Sequence, residues 1–304
     1  MRGYRQLAAI REIEAVGGAV FTQPSGPDWL RGIIGDEKMR MFDRVESVGA
    51  AYEAVSETTL RRIGGLTDLE YLVLTDSDAT DAGLAHLTGL TNLRELNLSS
   101  TKVTDAGVAH LEGLTNLRDL NLSITRVTDA GVAHLKGLTN LRDLNLSSTQ
   151  VTDAGLVHLE DLSNLTAIWL DGCRVTDTGL MHLKDLAHFE YLGLGHTRVT
   201  DGVLARIKGS ISIKGLRIID TRVTDAGLMN LKGAENLAWL ELNLTSVTDA
   251  GVAHLSGLVS LRSLAVSDTK VTDAGVGDLK CALPKLAISR DVHVPAVDWS
   301  NVIP

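Results

Sequence analysis

The sequence predicts an α/β solenoid in which each coil adds one strand to a parallel β-sheet on a concave side and one short helix to a convex side. Two observations carry this. The stretch Leu90–Gly113, LTNLRELNLSSTKVTDAGVAHLEG, recurs nearly unchanged at 114–137 and 138–161, and more loosely at 66–89, 162–185, 186–209, 210–233, 234–257 and 258–281. Leucines at set offsets within a fixed 24-residue period mark stacked coils. The composition agrees, 44% hydrophobic with only 4% aromatic: a stack needs Leu, Ile and Val along its whole length rather than large rings at one centre.

Residues 1–41 do not follow the repeat. Within Tyr4–Val16 the apolar residues Leu7, Ala8, Ile10, Ile13 and Val16 have helical spacing. Gly17-Gly18 ends that helix, Ala19-Val20-Phe21 suits a short strand, and Pro27 can open a second helix through Trp29, Leu30, Ile33 and Ile34. A solenoid must cover the apolar flank and the unpaired strand edge of its first coil, so 1–41 is expected to be an N-terminal helical cap. Residues 42–65 fit the frame as a degenerate coil, with Val45, Val48, Ala50, Val55, Leu60 and Ile63 on core positions and Ser56-Glu57 in place of Thr-Asp. The array is thus expected to span 42–281, one degenerate plus nine regular repeats. Residues 282–304 begin another strand and close as a C-terminal cap, where Pro284, Pro295 and Pro304 suit a chain that must not continue the stack.

Inside one repeat, Glu95–Ser99 alternates with period two, so Leu96 and Leu98 point inward while Glu95, Asn97 and Ser99 point outward. Thr104-Asp105 precedes the helical pair Val108 and Leu111. Thr or Asp as N-cap accepts backbone N–H bonds, and an acid in the first turn complements the helix dipole. Gly113 is placed to take a left-handed conformation at the helix end.

The pattern LxxLxLxxTxVTDxGLxxL resembles the leucine-rich-repeat superfamily. More narrowly, it is similar to the Thr/Cys-containing type with a TDxGL helix start, found in F-box-associated repeat proteins and in bacterial tandem-repeat proteins. The likeness covers about 66–281. It implies a right-handed horseshoe that binds protein ligands on its concave face. Two places depart from the pattern: VTDGVL at 199–204 moves the glycine to Gly202, and Ser210-Ile211-Ser212-Ile213 lacks the leading leucine. No F-box-like segment is recognisable in 1–41, so a ubiquitin-ligase role is not carried over.

The formal net charge of -9 argues against nucleic acid or a membrane surface as partner, since phosphate attraction needs clustered Lys and Arg. No apolar run reaches the length of a membrane span, and the first residues lack the apolar region of a secretory signal; a cytoplasmic location and a monomer are the expectations. Cys173 sits where other repeats have threonine, and Cys281 replaces a repeat-ending glycine. Several repeats apart, they read as small buried thiols, not a disulfide.

Several residue columns carry chemistry-bearing side chains. Asp81, Asp105, Asp129, Asp153, Asp177, Asp201, Asp225, Asp249 and Asp273 recur once per coil. One carboxylate per coil does not converge on a cation, and helix capping accounts for the column. His86, His110, His134, His158, His182 and His254 are equally dispersed, so no metal site is expected. Lys102, Arg126, Arg174, Arg198, Arg222 and Lys270 line the strand-to-helix edge, and the acidic column beginning two or three residues later makes a self-neutralised rim the expectation. His196 and Asp220 fall on equivalent loop positions of adjacent coils and could pair as a general base. No nucleophile faces them and no catalytic motif occurs, so neither an enzyme nor a cofactor is expected.

The outward strand positions differ among repeats, and there a ligand site is expected. Repeats over 90–161 present only Glu or Asp, Asn and Ser. Later strands present Trp169 and Asp171, then Tyr191, Gly193 and Gly195, then Arg217 and Ile219, then Trp239, Glu241 and Asn243; Tyr71 and Val73 form a smaller cluster. Trp, Tyr and Arg dominate binding hot spots. The expected function is a non-enzymatic module binding a protein or peptide through concave Trp169, Asp171, Tyr191, Arg217, Trp239, Glu241 and Tyr71. The alternatives are a self-associating scaffold, and a carbohydrate binder using Trp169, Tyr191 and Trp239 as stacking platforms.

Overall fold

Leucine spacing builds the coil. Strand alternation turns Leu96 and Leu98 to one side, where Leu90, Leu93, Val103, Val108 and Leu111 close over them, and all seven are fully buried. Each such side chain contributes roughly 1.5–3 kcal/mol on leaving water, so the core is one layer of aliphatic side chains per coil. The computed structural model describes residues 2–15, 17–25, 28–50, 55–183 and 188–290. It divides into two compact units, Met1–Ile168 with His182–Lys184, and Trp169–Met181 with Asp185–Pro304. Each is a stretch of α/β solenoid, its strands following one another in chain order and alternating with short helices.

The first unit opens with helix Arg2–Ala15, strand β1 (Ala19–Gln23) and helices Asp28–Ile34 and Asp36–Met39. There follow β2 (Arg44–Gly49), β3 (Tyr71–Val73), β4 (Glu95–Asn97), β5 (Asp119–Asn121) and β6 (Asp143–Asn145). Strand β1 pairs antiparallel with β2 and occupies its edge. Strands β2 to β6 pair in parallel, with Val48, Leu72, Leu96, Leu120 and Leu144 in register. The division between the units falls within β7 (Ala167–Trp169). The second unit contains β8 (Tyr191–Gly193), β9 (Gly215–Arg217), β10 (Trp239–Glu241), β11 (Ser263–Ala265) and β12 (Ala287–Ser289), all parallel, with Leu192, Leu216, Leu240, Leu264 and Ile288 in register.

The stretch 42–65 places its expected apolar residues in the core. Its Val45, Val48, Ala50, Val55, Leu60 and Ile63 are buried, and Ser56 replaces Thr as N-cap by accepting the Thr59 N–H at 3.1 Å. In the N-terminal segment Leu7, Ile10 and Ile13 are buried as expected. The apolar face read over Trp29 to Ile34 is not: helix Asp28–Ile34 buries none of its residues. Val16, Pro27, and 291–304 with Pro295 and Pro304 lie outside the described residues. Cys173 is buried, whereas Cys281 is exposed, because helix Asp273–Ala282 runs on where other coils turn and carries it outward.

The aspartate column does something other than cap its own helix. Thr128 caps, accepting the Ala130 N–H at 3.3 Å. The carboxylate of Asp105, in the coil before, takes both hydrogens of that threonine: the Thr128 N–H donates to Oδ1 at 2.7 Å and the Thr128 hydroxyl to Oδ2 at 2.7 Å. The same two-pronged clamp joins Asp81 to Thr104 and Asp129 to Thr152 in the first unit. In the second it joins Asp177 to Thr200, Asp201 to Thr224, Asp225 to Thr248 and Asp249 to Thr272. The motif glycine leaves room for it: a Cβ on Gly155 would lie 2.5 Å from Asp129 Oδ1. Where the glycine moves to Gly202 the clamp survives, with a Cβ there 2.7 Å from Asp177 Oδ2 and Thr200 N–H still donating to Asp177 at 2.9 Å. Bonds from the Thr272 backbone and hydroxyl hold the Asp249 carboxyl below the usual carboxylate range. A depressed folded-state pKa contributes stability above the unfolded value of about 4 that is lost as pH falls below it.

The irregular stretch at 210–213 is also accommodated. Ser210, on the leading-leucine position, is buried and its hydroxyl accepts the Ser212 and Ile213 N–H groups at 3.3 Å, while Ile213 fills the core.

The φ of Gly113 is not positive, though Gly209 and Gly233 at the same repeat position in the second unit are left-handed. A further left-handed residue follows the strand, at Asp76, Ser100, Ile124 and Ser148 in the first unit and at Gly172, His196, Asp220, Leu244 and Asp268 in the second. At Asp76, Ser100, Ile124, Gly172, His196, Asp220 and Leu244 the N–H donates to a carbonyl of the next coil, as Ile124 does to Ser147 at 2.9 Å. Glycine, Asp, Ser and His tolerate such a φ; a β-branched residue does not. Ile124 adopts φ 55° although its side chain is exposed and gains little by packing.

Two outcomes are expected. Asp105→Ala and Gly131→Ala each lower the urea midpoint, and in a double-mutant cycle they couple by about 1 kcal/mol, because the second change removes a clamp already broken. Ile124→Asn raises stability by about 1 kcal/mol in the same assay by relieving the left-handed strain.

Candidate functional site

On the strand face away from the leucine core, the second unit departs from the polar repeat. Strand register sets Tyr191, Gly215 and Trp239 side by side, and likewise Gly193, Arg217 and Glu241. The glycines decide what happens there. Gly215 has no side chain between its neighbours, so the Tyr191 and Trp239 rings, two coils apart, meet with centroids 6.4 Å apart. Gly193 lets Trp169 lean over it: a Cβ there would lie 2.6 Å from the indole Cε3. Trp169 consequently stacks on Tyr191, with centroids 6.4 Å apart and planes 26° from parallel. Such contacts are worth about 0.5–1.5 kcal/mol beyond area burial.

Beside the rings lies an ionic triad. Asp171 accepts the Gly195 N–H at 2.8 Å, and a Cβ on Gly195 would lie 2.7 Å from its Oδ1. Arg217 reaches across Gly193 with Nε 3.6 Å from Asp171, and stands 3.2 Å from Glu241. Two carboxylates thus share one guanidinium, whose Nε is buried without an aligned hydrogen bond. Burial pushes the Asp171 carboxyl above its ordinary range, against the opposing pull of Arg217 and the Gly195 N–H. Burial also raises the Tyr191 phenol, which Lys214 partly offsets.

Six of the seven residues expected at the site are therefore assembled in one unit: Trp169, Asp171, Tyr191, Arg217, Trp239 and Glu241. Tyr71 lies half-buried on β3 of the other unit. An outward position does not leave the rings open to solvent: Trp169 is 8% and Tyr191 5% exposed, since they shield one another over the glycines, and Trp239 stays half-buried. Gly193, Gly195 and Gly215 are the residues whose role the sequence reading missed. Their signal was available, as glycine in a strand marks close approach by other groups.

The other columns resolve as follows. His196 and Asp220, both left-handed, pair at 3.1 Å with both side chains about half exposed to solvent. His86 and His134 each reach an acid, Glu57 at 3.3 Å and Glu112 at 2.5 Å. Among the described residues no group of three or more His, Cys, Asp and Glu could hold a metal ion, and no helix is long and apolar enough to cross a membrane. The expected neutralisation of the basic rim by the aspartate ladder is not seen where threonines take the carboxylates, from Asp81 to Asp129 and from Asp177 to Asp249. Lys102 pairs instead with Asp78 at 2.6 Å, while Arg126, Arg174, Arg198, Arg222 and Lys270 are exposed.

Comparison with known proteins agrees with this architecture. Models of the leucine-rich repeat match residues 115–175, and a two-copy version matches 91–137. No curated protein matches the chain. Among solved structures it is similar to an internalin, inlF, of Listeria monocytogenes, with 22% identity over 83% of this chain and 82% of that one and a TM-score of 0.56. Internalin C2 of the same organism is 27% identical over 72% of this chain and 84% of that one, with a TM-score of 0.49. A TDR receptor is 18% identical over 76% of this chain and 40% of that one, with a TM-score of 0.50. The first of these likenesses establishes the fold.

The buried carboxyl has a measurable sign. A folded-state pKa raised above the unfolded value favours the protonated form, so its contribution to stability is greatest below about pH 4 and declines as pH rises. Asp171→Asn is expected to melt higher than the parent at pH 7 and to converge with it in acid. Gly193→Ala should alter the near-ultraviolet dichroism of the tryptophans while far-ultraviolet dichroism stays unchanged.

Proposed function

We propose that this leucine-rich-repeat protein is a non-enzymatic module that binds a protein or peptide on the strand face of its second unit. Leucine-rich-repeat proteins are typically non-catalytic binding modules. The observation that carries the reading is the contiguous row Trp169–Tyr191–Trp239 with the Asp171–Arg217–Glu241 triad, set on a face that adds nothing to the leucine core. Packed rings and a locked guanidinium form a pre-ordered surface, which lowers the entropy lost on binding. The half-buried Trp239 and Arg217 are the parts of it open to a partner. A carbohydrate platform fits less well, because stacking on a sugar needs open ring faces and those of Trp169 and Tyr191 are largely covered.

The test is affinity capture from a lysate of the source cells with mass-spectrometric identification. Trp239→Ala and Arg217→Ala should each lose the captured partner while keeping the far-ultraviolet dichroism of the repeats. Retention of the same partner by both variants would overturn the assignment. Trp169→Ala is the poorer probe, since removing a buried indole costs about 3–5 kcal/mol of stability by itself.

A further inference from the structure

The first unit carries a second, chemically different surface where each coil enters its strand. Arg94, Arg118 and Arg142 follow one another in successive coils, each one residue before β4, β5 and β6. Beside them Asn116, Asn140 and Asn164 donate their Nδ2 hydrogens to carbonyls of the preceding coil, those of Thr91, Thr115 and Thr139, at 2.8 Å. These bonds fix the carboxamides and leave each Oδ1 as an acceptor. With Glu70 and Asn92 the two columns line a cleft of about 300 Å³.

Its charge is unbalanced. Glu70, nearly buried, is taken by Arg94 at 2.9 Å and by Arg44 as well. Among the described residues the guanidinium groups of Arg118 and Arg142 have no ion-pair or hydrogen-bond partner. They stand in adjacent coils, about 4.8 Å apart along the sheet, and repel each other in a chain of net charge -9. Asp119 lies close enough for both to draw its carboxyl down against the upward push of burial, yet forms no ion pair with either.

We propose that this cleft binds an acidic peptide segment, with Asp or Glu carboxylates on Arg118 and Arg142 and backbone N–H groups on the asparagine carboxamides. A guanidinium fork matches a carboxylate with two parallel hydrogen bonds. A row of amide acceptors calls for a ligand with a row of donors, which a peptide has and a small inorganic anion lacks. The strand acids Glu95, Asp119 and Asp143, next in sequence to the arginines, disfavour a densely charged polyanion but tolerate spaced carboxylates. From Glu70 to Asn164 the cleft crosses four coil steps, about 19 Å, the length of roughly six extended residues. It shares no residue with the aromatic cluster.

Fluorescence anisotropy with a labelled Glu-Gly octapeptide, four repeats of the pair, tests this on the full chain. Binding should weaken as salt rises. It should fall at least tenfold in the double variant Arg118→Gln, Arg142→Gln, and persist in Trp239→Ala. Melting curves of the double variant, whose exposed guanidiniums carry no structural bond, should match those of the parent and so confirm that it folds. Equal binding by the double variant, equal binding of the Gln-Gly octapeptide, or no binding of the Glu-Gly octapeptide at millimolar concentration would each overturn the proposal. Displacement by inorganic phosphate at matched ionic strength as effective as by unlabelled peptide would also overturn it, marking a site for small anions.

Discussion

From Asp81 to Thr152 in the first unit and from Asp177 to Thr272 in the second, each coil is held to the next by a carboxylate with both oxygens occupied. The aspartate of one coil takes the backbone N–H and the hydroxyl of the following coil's threonine, and the following glycine leaves the space in which that carboxylate sits. Three letters of the motif thus describe one joint spread over two coils. Threonine and glycine receive the previous aspartate, and the aspartate serves the next pair. The helices it joins are four to six residues long in most coils, too short to persist alone. The clamp and the leucine layer supply what helix propensity cannot.

Because the joint lies on the helix side and the core lies inside, the strand face is released from structural duty. In the first unit that freedom is little used: Asn97, Asn121 and Asn145 turn back to accept the N–H two residues on. In the second unit glycines replace such residues, and their effect is spatial. With a side chain missing from one coil, groups two coils apart come together, Tyr191 with Trp239 and Asp171 with Arg217. The result is a packed aromatic and ionic surface instead of a row of separate pendant side chains.

The two surfaces differ in kind. The aromatic cluster is dense, with its charges locked and its carboxyls partly buried. The arginine and asparagine cleft is open, cationic and built by plain repetition. An acidic protein can carry such a cleft because the repeat delivers the same basic residue to the same edge coil after coil, whatever the total charge.

The coil, its period and the core positions were legible in the sequence, because burial of Leu and Val at fixed offsets is a local demand stated again in every repeat. The outward residues of the proposed site stand out in the sequence as exceptions to that repetition. Tertiary structure alone decided the rest. The aspartate column reads as helix capping in one repeat, and its true partner is the threonine 23 residues on in the next coil. A left-handed residue follows the strand because the next coil's carbonyl is there to accept its N–H, as at Ile124. The rings are covered rather than open because of which neighbours are glycine. Sequence determines what one coil must bury; what a side chain meets across coils is set by their stacking, which brings together residues that are far apart along the chain.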